Sequence, residues 1–134
     1  MHHFEAIRSY VGNLYPLNHN APYQIGFDVP LEHGRQQGIY LAEMEGEHGR
    51  RYLRISTPIG PLAHADPNRC LRFNWEQRTG FFAVSDLDGV PWLHLCDNCP
   101  YAILDGDELQ RLIRELGAQG DHLEQVLLRG VDEA

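Results

Sequence analysis

The stretch Asp66–Gly89 reads DPNRCLRFNWEQRTGFFAVSDLDG, and the reading of the fold turns on it. Asp66 suits the N-cap of a helix and Pro67 its first position, where the missing N–H costs nothing. Cys70, Leu71, Phe73 and Trp75 then supply an apolar face over about two turns. Asn74 and Gly80 bracket the exit. Gly80 to Ser85 is a strand, and Asp86-Leu87-Asp88-Gly89 is the turn that reverses it, because Asp and Gly accept the dihedrals of a tight turn. The stretch is a short helix wedged between two sets of strands. It points to a fold and names no reaction.

Towards the N-terminus, Phe4, Ile7, Val11 and Leu14 recur at three- and four-residue spacing with Glu5 and Arg8 opposite, which predicts an amphipathic helix limited by Gly12-Asn13 and Pro16. Residues 16–22 read as loop. Three strands follow. Tyr23 to Val29 alternates, with Tyr23, Ile25, Phe27 and Val29 on one face. Gly38 to Met44 is the second, and Gly46 to Gly49 a hairpin turn. Tyr52 to Thr57 is the third, with Leu53 and Ile55 facing one way, Arg54 and Ser56 the other, and Pro58 and Pro61 ending it.

Towards the C-terminus, Val90 to Cys96 is the fifth strand. Asp105 and Glu108 form a capping-box-like helix start. Leu109, Leu112, Ile113 and Leu116 make a stripe, Gly117 and Gly120 predict an interruption, Asp121 and Glu124 repeat the capping pattern, and Leu123, Val126 and Leu127 resume the stripe. The tail from Gly130 reads as frayed.

The order α-β-β-β-α-β-β-α has too many strands for βαβ alternation. It predicts an α+β domain over residues 1–134, an antiparallel sheet with helices packed mainly on one face. The bare side of such a sheet is a natural place for a second chain to dock.

The chain has 134 residues, 43% of them apolar, enough for one core. No apolar run approaches the roughly 18 residues of a membrane helix, and Met1-His2-His3-Phe4-Glu5 is not a signal-peptide start. The expectation is a cytoplasmic protein with no membrane partner. A formal charge of −8 disfavours nucleic acid. All 11 basic residues are arginine, so a Schiff-base lysine and a P-loop lysine are both excluded. G-x-S-x-G, G-x-G-x-x-G and H-E-x-x-H are absent as well.

On these residues the chain resembles the type III secretion chaperones (the Tir chaperone-like fold) and the YbjN-like proteins. The resemblance rests on the element order and on Cys70-Leu71-Arg72-Phe73-Asn74 followed by Gly80-Phe81-Phe82-Ala83-Val84. It implies a small acidic homodimer that holds a partner polypeptide, such as a secreted effector, with no nucleotide, no cofactor and no catalytic residues. It also implies a dimer or partner surface near Leu71, Trp75, Phe82 and Val84. The segment from Asp97 to Leu104 and the Gly117–Gly120 break depart from the family pattern.

The sharpest chemical feature is His94-Leu95-Cys96-Asp97-Asn98-Cys99. Reduced structural thiols are one reading of Cys96 and Cys99. Half a zinc site, completed from Cys70, His94 or His64, is another, and a redox pair is a third. A thiol or metal-binding protein is therefore the alternative function. Asp86-Leu87-Asp88-Gly89 lacks the glutamate that would end a calcium loop and reads as a turn. His2, His3, His19, His33, His48, His64, His94 and His122 show no helical ligand spacing, and no nucleophile stands beside one.

Overall fold

Alternation of apolar and polar residues builds a sheet in which every second side chain enters one core. The computed structural model describes residues 1–132, with side chains up to residue 127. Its elements are α1 (Phe4–Gly12), β1 (Leu17–Ala21), β2 (Gln24–Pro30), β3 (Gln36–Glu45), β4 (Arg51–Pro61), α2 (Pro67–Glu76), β5 (Phe81–Leu87), β6 (Val90–Pro100) and α3 (Gly106–Asp132). The strands form one antiparallel sheet in the order β1-β2-β3-β4-β6-β5. The fold is α+β, as the element pattern predicts.

The covered face carries Ile25, Phe27, Ile39, Leu41, Leu53, Ile55 and Leu95, all fully buried against Ile7 and Val11 of α1 and Leu109 and Ile113 of α3. Each such side chain contributes about 1.5–3 kcal/mol on leaving water. Local bonds cap the last helix and tie the two helices to each other. The Glu108 backbone N–H donates to Asp105 Oδ1 at 2.8 Å, the cap anticipated for α3. Tyr10 of α1 donates to the Gly106 carbonyl and accepts from Gln110, which fixes α1 against the start of α3.

Four expectations are corrected. Residues 16–22, read as loop, contain the edge strand β1, so the sheet has six strands rather than five. Its residues Asn18, His19 and Asn20 are exposed, and an exposed edge strand has no apolar alternation to betray it. The third strand continues through Pro58 to Pro61, because a register shift between Pro58 and Gly60 absorbs the proline. The fifth continues past Cys96 to Pro100.

The fourth correction concerns the last helix, which is continuous through Gly117 and Gly120 and runs to Asp132; residues beyond it, the end of the expected frayed tail, lie outside those described. Gly120 is not a breaker but a contact point. A Cβ there would sit 2.6 Å from Thr57 Cγ2, so the glycine lets α3 lie directly on β4. Below it, Gln37 and Thr57 are buried yet satisfied. Gln37 Nε2 donates to Thr57 Oγ1 at 2.7 Å, and Thr57 Oγ1 donates to the Gly38 carbonyl at 2.6 Å. Asp121, read as a second helix cap, instead holds Arg35 at 3.0 Å.

Candidate functional site

The central helix begins as anticipated, with Asp66 Oδ1 accepting from the Asn68 N–H at 3.0 Å and Pro67 in the first turn. Its apolar residues do not share one face. Phe73 turns inward, its ring centroid 4.6 Å from that of Phe82, and Cys70 is half-buried beside it. Leu71 and Trp75, one turn apart on the same side, point away and are 68% and 90% exposed.

Strand β5 is the sheet edge opposite β1 and pairs only with β6. At Phe82 its free side is closed by a side chain. Asn74 Oδ1 accepts from the Phe82 N–H at 2.6 Å, and Asn74 Nδ2 donates to the Phe82 carbonyl at 3.1 Å. Val84, beyond that clamp, is 52% exposed. The hairpin turn leading to β6 has positive φ at Asp88 and Gly89, as a two-residue turn requires. Leu87 and Val90 flank it and are also exposed. Three of the four residues anticipated as a docking surface, Leu71, Trp75 and Val84, are thus exposed on α2 and β5. The fourth, Phe82, is the half-buried anchor between them.

The other side of the sheet carries no helix. It curls into a trough of about 630 Å3 whose lining runs from His19 and Gln24 at one end to Val84 and Leu87 at the other. The Tyr40 ring lies over Gly26, where a Cβ would meet it at 2.9 Å, and stands edge-on to His19. Arg54 and Ser56 sit on the central strand β4, and His94 and Cys96 lie beside them on β6. His94 and Cys96, on the uncovered face, are only 7% and 4% exposed. His94 Nε2 lies 3.2 Å from the Ser85 carbonyl. Burial lowers the His94 pKa, partly opposed by that bond. Burial likewise pushes the Cys96 thiol up to about 11, against the nearby Arg54 charge.

The C-x-x-C pair does not converge. Cys96 lines the trough, whereas Cys99, opposite Leu53, belongs to the core on the other face. A spacing of three on a strand, whose side chains alternate with period two, sends the thiols to opposite sides. All three cysteines are free. Burial also raises the Cys99 and Cys70 thiols, the reverse of the shift a reactive thiol needs. Among the described residues no three of His, Cys, Asp or Glu stand close enough to share an ion.

No protein-family model and no curated protein matches the chain. Among the described residues no helix is long and apolar enough to cross a membrane. The surface near Leu71, Trp75, Phe82 and Val84 was implied by the family resemblance, while the residues themselves suggested a single apolar face on α2 that the structure divides between core and water. The sequence reading missed the trough, although its signal was present in the outward alternation of Arg54 and Ser56.

Proposed function

We propose that this is a small chaperone-like binding protein, a homodimer that docks polypeptide through α2 and β5 and has no catalytic role. One observation carries the reading: a helix packed on a free sheet edge presents Leu71 and Trp75 to water, with Trp75 90% exposed. Tryptophan is among the residue types most enriched at interface hot spots, the leucine beside it widens the apolar patch, and an isolated monomer gains nothing by exposing them. Val84, Leu87 and Val90 extend apolar area along the adjoining hairpin. The resemblance to type III secretion chaperones and YbjN-like proteins supports the same reading, and so does the acidic charge. A cytoplasmic location and a secreted partner belong to this proposal.

Light scattering coupled to size exclusion at high micromolar concentration tests it. Wild type should elute with the mass of two chains. Leu71→Glu combined with Trp75→Glu should give one chain that still unfolds cooperatively, its midpoint lowered only by the lost association and no longer dependent on protein concentration, since both side chains lie outside the core. A wild-type monomer across the concentration range would sink the reading.

A further inference from the structure

We propose that the trough on the uncovered sheet face is a second polypeptide site, taking an extended segment whose central acidic residue is held by Arg54 and whose apolar residue two to three positions along rests on β5. The argument starts from length. The lining reaches from His19 of β1 through Tyr40, Ser56 and Cys96 to Phe81 of β5 along one paired row of the sheet. Six strands at about 4.8 Å give roughly 24 Å, which is about seven residues of extended chain. A small carboxylic acid would fill only a fraction of that span.

Charge supplies the second argument. The protein carries a net −8, yet the side chain at the middle of the trough is a guanidinium. Arg54 is exposed and, like Arg50, Arg69, Arg72, Arg78 and Arg114, takes part in no ion pair among the described residues, but it is the one arginine in the lining of this trough. A planar five-donor fork in a concavity matches a carboxylate with two parallel hydrogen bonds. Ser56 beside it adds a hydroxyl. Asp86, also in the lining, is an acceptor for peptide N–H groups and opposes a segment with more than one negative charge.

The ends of the trough differ. Phe81 and Leu87 form an apolar end, while His19 and Gln24 form a polar one. An acidic residue with a leucine-like side chain two to three positions away on one side and a polar one on the other satisfies this gradient. The inference rests on the reading that the chain binds polypeptide, but it uses none of the α2 residues.

The test is fluorescence anisotropy with a labelled nine-residue peptide amide bearing one central glutamate and a leucine two residues away, and its glutamine counterpart. The glutamate peptide should bind saturably, and the glutamine peptide about tenfold more weakly, as loss of one charge-assisted contact implies. Arg54→Gln should lose the same factor with an unchanged thermal midpoint. Arg54→Glu should instead prefer a lysine-centred peptide. Equal binding of the glutamate and glutamine peptides, indifference to Arg54→Gln, or binding of neither peptide would overturn the proposal. So would full competition by octanoate, which would mark a site for free acids. The Leu71→Glu, Trp75→Glu protein should bind the peptide as wild type does. A dimer that ignores the peptide therefore removes the trough alone, and a monomer that binds it removes only the α2–β5 interface.

Discussion

Asn74 stands in for a neighbouring strand at Phe82: its side-chain amide makes both the bonds, at 2.6 and 3.1 Å, that a seventh strand would make there. The amide of asparagine has a donor and an acceptor in the same arrangement as a peptide group, so it can close a sheet edge without extending it. This also explains why α2 lies where it does. Its last turn is fastened to β5 by two hydrogen bonds and by the packing of Phe73 on Phe82.

Asn74→Ala should therefore destabilise the fold by about 1–3 kcal/mol, the cost of leaving two partly buried backbone groups without partners. Asn74→Asp should cost more, because a carboxylate oxygen would replace the donor facing the Phe82 carbonyl. Urea unfolding checks both, and the alanine variant should also aggregate more readily through its opened edge. Unchanged midpoints for both variants would show that the bonds carry no weight.

The two glycines of α3 should respond oppositely to alanine. At Gly117 the nearest side-chain atom is 3.8 Å from an added Cβ, so Gly117→Ala should stabilise by about 0.5–1 kcal/mol through helix propensity. At Gly120 the added carbon would meet fully buried Thr57 at 2.6 Å. Overpacking of about 1–3 kcal/mol should outweigh the same propensity gain. Thermal midpoints of the two single variants measure the contrast.

Stability should fall on the acid side through His94. Its pKa in the fold lies below the ordinary 6.5, mainly through burial. Below about pH 6.5 the unfolded chain takes up a proton that the folded one does not, so stability declines as pH drops from there towards the folded pKa. At neutral pH and above, this contribution is fully present. Comparing unfolding free energies at pH 7.5 and 5.5 should show a smaller loss for His94→Gln, which retains a donor for the Ser85 carbonyl. An equal loss in both proteins would remove His94 as the cause.

The thiols should be sluggish and unequal. Cys70 is the most accessible and should react first with a disulfide reagent in the native protein. Cys96, held near 11, and Cys99, within the core, should react at the rate of unfolding. Mild oxidation of the intact fold should give no Cys96–Cys99 disulfide by mass spectrometry; finding one would require β6 to come apart.

How much of this was legible from residues alone varies by element. The α2 cap, the β5–β6 turn and the buried faces of β2 and β4 were, because each follows from contacts within a few residues or from strict alternation; Tyr23, placed on the buried face of β2, lies instead just before the strand and is exposed. Strand β1 was not, since Asn18, His19 and Asn20 carry no apolar signal and acquire their strand geometry only by pairing with β2. The continuity of α3 was not either, because what overrides the helix-breaking tendency of Gly120 is its close seat on Thr57, a residue 63 positions earlier in the chain.

The candidate site divides along the same line. Periodicity marked Leu71 and Trp75 as apolar helix residues, but only tertiary packing decided that Phe73 would turn inward and leave these two in water. The sequence by itself determined an α+β chain with no lysine chemistry and a capped helix leading into a hairpin, because those properties reside in residue type and short-range spacing. Tertiary structure decided that Cys96 and Cys99 part to opposite faces, that Arg54 stands at the centre of a trough, and that Asn74 closes the edge. Each of these depends on which strands lie side by side and how far the sheet curls, and neither is fixed by any local run of residues.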